Sequence, residues 1–287
     1  LENTDASNLT EKLTHGLIKG KQSATGIADI DLTLGYHFLN KDDMAAAINL
    51  GLTVPTGNES DGKYMFEPIY GNGGHFGFGG GLLGSFQVWG DANHNFKLNA
   101  AMNYRYLFKG TEKRILGLPS LDKKEMSVYA LLGKNNQKGC VPAPNILTRN
   151  VNVTPGSQMD GIVGLGYNNE GFTIDLGYNL FFREAESVSL KDKFTDGEYG
   201  IAKRDYDTSS AFNFSSNKEK EISNTTVRTS AAETPSQLTH KFYGGLGYIF
   251  RDWEYPLMLG AGGHYEIASK NSAIDTWGFN LKFGLGF

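Results

Sequence analysis

Six histidines, a single cysteine, one run of closely spaced glycines and a set of charges at alternate positions are the residues of this 287-residue chain with chemistry to offer. The histidines are His15, His37, His75, His94, His240 and His264, and no two of them stand at a metal-ligand spacing such as H-E-x-x-H. His75 and Ser85 lie near each other in sequence, but ten residues of one strand span about 33 Å, too far for a nucleophile and its base. No G-x-S-x-G elbow occurs. Cys140 sits in the run Lys138-Gly-Cys-Val-Pro142 and has no disulfide partner in the chain; only Lys138 could lower its pKa. The stretch Gly79-Gly-Gly81-Leu-Leu-Gly84 satisfies G-x-G-x-x-G, yet it runs on into Ser85-Phe-Gln-Val-Trp89 and a turn, without the helix that dinucleotide binding needs. The expectation is a protein that is not an enzyme, with no cofactor and no metal.

The charges are more informative, because they recur at every second residue. Asp29, Asp31, Asp160, Asp175 and Glu266 fall on one face of alternating segments, together with Lys97, Arg105, Arg183, Lys241, Lys282, His37 and His264. The signs roughly balance. Such a set either forms cross-strand ion pairs inside a narrow barrel or sets a field across a water-filled lumen, and both can hold.

Those charges must be positioned by strands. Residues 26–38, GIADIDLTLGYHF, place Ile30, Leu32, Leu34, Tyr36 and Phe38 against Asp29, Asp31, Thr33, Gly35 and His37, a period of two. The pattern returns around 48–54, 76–88, 96–108, 172–183 and 277–287. The runs last about 11 to 13 residues, nearer a tilted membrane strand than the 5 or 6 of a soluble sandwich. Glycine contributes 37 residues, and mean hydropathy is −0.36 at a net charge of −4. No run of about 18 apolar residues exists, which excludes a membrane helix, and there is no basic field to hold a nucleic acid. A β-barrel is compatible with this hydropathy because its polar and apolar residues alternate.

Connections alternate between short (40–43, 90–95, 168–171, 251–256) and long (56–74, 109–124, 184–236, 269–275), as in an up-and-down barrel. With residue 287 ending at the short-turn side, parity requires an ascending strand before residue 26, for which only residues 8–20 are available. A strand at 125–132 then needs a partner within 139–153. The fold expected is all-β: a transmembrane antiparallel up-and-down barrel of about twelve strands, with ten as the alternative, in one domain over residues 1–287. Its long polar loop at 184–236 is either exterior, folded into the pore, or built into strands above the membrane.

The terminal run Trp277-Gly-Phe279-Asn-Leu-Lys-Phe283-Gly-Leu-Gly-Phe287 resembles the C-terminal signal of bacterial outer-membrane barrels. Gly26-Ile-Ala-Asp29 and Leu50-Gly-Leu-Thr-Val-Pro55-Thr-Gly57 resemble more loosely the "MetA-pathway of phenol degradation" outer-membrane transporter family, with Ala28 where that family has a second glycine. These resemblances imply an outer-membrane location with the signal peptide already removed. They imply contact with lipid and lipopolysaccharide, and recognition of Trp277, Phe279, Phe283 and Phe287 by the barrel-assembly machinery. The function expected is a monomeric porin or passive channel for small hydrophilic or amphipathic solutes. A plugged barrel with surface-binding loops and a barrel enzyme are the alternatives.

Overall fold

A computed structural model describes residues 11–91, 93–119, 128–135, 139–204, 212–214, 221–251, 255–270 and 273–286. The chain is all-β and its sheets are antiparallel. Its long strands are β1 (Ile30–Asn40), β2 (Met44–Val54), β3 (Gly77–Gly90) and β4 (His94–Leu107), followed after an insertion by β9 (Gly156–Asn169) and β10 (Phe172–Arg183), and after another by β14 (Gln237–Phe250), β15 (Leu257–Lys270) and β16 (Thr276–Leu285). They form one nine-stranded sheet in the order β1-β2-β3-β4-β9-β10-β14-β15-β16. The register keeps the apolar set of each strand on one face: Leu82 pairs with Met102 and Leu83 with Ala101, on opposite faces.

The sheet is curled. Asn99 on β4 and Lys282 on β16 line the same 550 Å³ cavity, although five inter-strand steps would separate them by about 24 Å in a flat sheet. Glycine permits the curl where a ring lies flat on the concave wall. A Cβ added at Gly177 would sit 2.2 Å from the Tyr243 ring, so only glycine lets Tyr243 lie there.

The insertions make a second layer at the long-loop end. β5 (Gly110–Ile115), β8 (Thr148–Thr154) and β11 (Ser187–Leu190) form a sheet in the order β11-β8-β5, repeating the order β10-β9-β4 below it. Three strands of the long sheet thus continue upward after a break. At that break Pro155 offers no N–H, Gly156 has φ +77°, and the Glu184 carboxylate accepts the Ser157 N–H at 2.7 Å. Beside this sheet lie β6 (Leu131–Lys134), β7 (Cys140–Pro142), β12 (Tyr199–Arg204) and β13 (Phe212–Phe214), in the order β13-β12-β6-β7, and the short helix α1 (Ala143–Leu147). The two small sheets and α1 share one core, in which Leu116, Leu132, Ala143, Leu147, Val151 and Val153 have no exposed surface. Cys140 is buried there, and burial pushes its thiol pKa up.

The expected strand count is not reached among the described residues. The long sheet has nine strands, against twelve or ten expected, and among the described residues β1 and β16 are not hydrogen-bonded to each other. The expected first strand lies partly outside the described residues. Residues 11–20 carry only an isolated parallel bridge from Leu17 to Tyr64 and lie on the cap, where the Thr14 N–H donates to Asn145 Oδ1 at 2.8 Å. Residues 125–127 of the other expected strand also fall outside the description; its end, β6, pairs with β7 in the cap and does not cross beside β4. Parity counting treated every alternating run as a crossing, whereas β6 and β7 bury both faces in the cap core.

Candidate functional site: the concave wall

The concave face is organised in hydrogen-bonded rows. One row runs Thr33, Gly51, Gly79, Arg105, Gln158, Arg183 and Gln237 from β1 to β14. Two rows nearer the turns runs His37, Ala47, Leu83, Ala101, Ile162, Asn179, Lys241 and Glu266. The alternation of each strand puts every member of a row on the same face, so the sequence pattern translates directly into the lining.

At the loop end, Arg105 donates to Gln158 Oε1 at 2.9 Å and to Thr53 Oγ1 at 3.4 Å, and its nearest carboxylate is Asp31 at 3.8 Å. Thr53 in turn donates to Asp31, and Asp160 accepts from Asn179 at 2.9 Å. Asp31, Thr53, Arg105, Gln158 and Asp160 line a cavity of 280 Å³. Arg183, on the same row as Arg105, has its Nε buried without a hydrogen-bond partner. Nearer the turns, Lys241 and Glu266 make an ion pair at 2.9 Å, and His264 lies over Gly278, where a Cβ would meet its ring at 2.6 Å. Lys97 and Asp175 share a row on either side of Gly166, and Lys282 lines the 550 Å³ cavity with Asn280. His37 lines a third cavity, of 310 Å³, with Ala47, Leu83 and Ile162.

Asp29 stands apart. It precedes β1, and its carboxylate accepts the N–H groups of Gly57 (3.1 Å) and Asn72 (2.6 Å), tying down the loop between β2 and β3. On the opposite, convex face Trp277, Phe279 and Phe283 are 72–76% exposed, while Phe287 lies outside the described residues.

Two features escaped the sequence reading. The first is the apolar stretch on the concave wall formed by Leu83, Ile162 and the alanines beside them. Its signal was present as doublets, Leu82-Leu83 and Ile162-Val163, which put apolar side chains on both faces. The second is a buried ionic cluster under the cap. His75, 2% exposed, directs Nδ1 at the Phe108 carbonyl (2.8 Å) and Nε2 at Glu112 (2.7 Å). Both partners are acceptors, so only a doubly protonated ring satisfies both. Burial opposes that charge, but the Glu112 and Phe108 contacts outweigh it and hold the His75 pKa above its ordinary value. Arg114 joins Glu112 (2.9 Å), Glu186 and the Ala232 carbonyl (2.7 Å). Burial would raise both carboxyl pKa values, yet the His75 and Arg114 bonds to Glu112 and the Arg114 bond to Glu186 hold them low. Two cations and two anions from three chain segments thus neutralise one another. No spacing rule joins positions 75, 112, 114 and 186.

Among the described residues no three metal-ligating side chains cluster, and no helix is long and apolar enough to cross a membrane. No family model matches the chain, and no curated protein matches it.

Proposed function

We propose that the chain is an outer-membrane β-barrel that acts as a passive channel for small hydrophilic or amphipathic solutes. One observation carries this: the long sheet is apolar on its convex face and charged on its concave one. Leu34, Leu281, Leu176 and Leu246 are 56–78% exposed on the convex side, whereas the fully buried apolar side chains belong to the cap. An apolar band of this extent is destabilising in water and suits lipid. Its edges are aromatic. Trp89, Phe96 and Tyr167 cluster at the turn end, with ring centroids at 6.1 and 4.6 Å, and Phe76, Tyr106 and Phe108 at the loop end, at 5.8 and 5.2 Å. Phe96 and Tyr106 are ten residues apart on β4, about 33 Å along the strand, or about 25 Å of height at a barrel's usual tilt.

In this reading the short turns face the periplasm and the cap faces outward. β1 and β16 both descend, so closing the barrel by antiparallel pairing takes an odd number of further strands between them, the first and last ascending. Lipid and lipopolysaccharide contact the convex face, the assembly machinery reads the end of β16, and the solute passes between the rows of charge. The likeness of residues 26–29 and 50–57 to an outer-membrane transporter family favours the same reading. The ordered core of the cap favours a second one, a barrel closed at its mouth whose cap binds a surface partner.

Planar-bilayer recording on the refolded full chain decides between them. Steady ohmic current in KCl is the expected result. Folded, inserted protein that carries no current refutes the channel and leaves the capped binder.

A further inference from the structure

The concave wall is not uniformly polar. Leu83 and Ile162 are 40% and 38% exposed on it, with Ala101 between them and Ala47 flanking Leu83 in one row, so an apolar patch runs across four adjacent strands on the interior side. A wall serving only ions has no use for such a patch, since apolar surface facing a water-filled lumen is destabilising. The patch lies directly below the Arg105 cavity. Ala101 and Arg105 are four residues apart on β4, about 13 Å, and the two cavities of 310 and 280 Å³ occupy successive levels of the same strands.

The polar end favours an anion. Asp31 and Asp160 are engaged by Thr53 and Asn179. Arg105, which lines the 280 Å³ cavity, has five N–H donors, of which two are hydrogen-bonded, to Thr53 and Gln158, with the Asp31 carboxylate farther off at 3.8 Å. Unspent guanidinium donors match a carboxylate, which accepts two parallel bonds from one fork.

We infer that this wall holds a subsite for small amphipathic monocarboxylates, with the carboxylate on Arg105 and the hydrocarbon body along Leu83 and Ile162. This rests on the barrel reading, because only in a closed barrel is the wall a lumen. A solute bound this way keeps its charged end toward the cap and its chain toward the periplasm. Acetate is too short to reach the patch from Arg105, whereas octanoate spans most of that distance.

The test uses the full chain in lipid nanodiscs, with octanoate, acetate and octylammonium as probes and protein-free nanodiscs as the reference for partitioning. Saturable octanoate binding by ligand-observed NMR is expected, with no saturation by acetate or octylammonium over the same range. Arg105→Gln and Ile162→Asn should each weaken octanoate binding by about tenfold or more. Octanoate that saturates no better than acetate, octylammonium that binds equally well, or variants that both bind like the wild type would each overturn the subsite. The wild-type probe series is decisive even if both variants fail to fold. Bilayer current separates the two claims: KCl conductance without octanoate binding refutes the subsite and leaves the channel, and saturable binding without conductance upholds the subsite and refutes the channel.

Discussion

Replacing Arg114 with Met should open the cap while leaving the long sheet intact. Arg114 is the cation shared by Glu112 and Glu186, whose side chains are 8% and 10% exposed, and it also donates to the Ala232 carbonyl. Its loss leaves two buried carboxylates with only His75 to neutralise them. Breaking a buried pair from one side costs about 3 to 5 kcal/mol, most of it the isolation of the remaining charge. Native-state hydrogen exchange on the reconstituted chain reads this locally, because β5 and β8 amides exchange through cap opening. Their opening free energy should fall by about that amount, with β14 and β15 unchanged. The pH dependence is the sharper test. In the wild type the lowered Glu112 and Glu186 pKa values contribute stability that is present above about 4.5 and lost as pH falls through their folded values. The raised His75 pKa contributes stability fully present below about 6.5 and lost as pH rises through its folded value. Cap protection should therefore peak between those limits. In Arg114→Met the carboxylates become easier to protonate than in the unfolded chain, so mild acid should restore protection and reverse the slope on that side. Replacing His75, Glu112, Arg114 and Glu186 together by apolar residues should cost less than Arg114→Met alone, since no charge is then isolated. Wild-type protection of β8 in Arg114→Met, or a mutant that acid weakens as it weakens the wild type, would refute the cluster's role.

Arg at Leu281, 76% exposed on the convex face, should cost about 2 to 4 kcal/mol in refolding titrations, and Arg at its concave-facing neighbour Asn280 much less; equal costs would reverse the face assignment. Gly177→Ala should destabilise by about 1 to 3 kcal/mol because its methyl would overlap the Tyr243 ring, and pairing it with Tyr243→Ala in a double-mutant cycle should recover much of that cost. Neutralising Arg105, Arg183 and Lys241 together should turn reversal potentials toward cations, an effect that shrinks as the Debye length falls from about 10 Å at 0.1 M salt to about 3 Å at 1 M. Deleting Phe287 should lower outer-membrane insertion in cells without preventing folding in detergent; unchanged insertion would show that the chain's end is not the assembly signal.

The long strands were legible because a sheet with one apolar and one polar face imposes period two on each strand separately, and local pattern is what a sequence displays. Residues 30–38 and 172–182 needed no partner to be read, and each pairs in the register that keeps its apolar set on one face. The cap was illegible for the opposite reason. Val151, Val153, Leu116 and Leu147 become a core only when they meet Val188, Ile222 and Val227 of the other insertion, so their apolar spacing follows tertiary contact and no single period. The same holds for His75 and Glu112, which are 37 residues apart and meet because the segment entering β3 lies beside the step from β4 to β5. Leu83 and Ile162 form an intermediate case. Each breaks the local alternation, and a doublet such as Leu82-Leu83 reads as noise until the sheet register places four of these exceptions in one row. Departures from an otherwise strict period are therefore where this sequence carries information about its concave wall, while the period itself identifies only which face of the sheet is apolar.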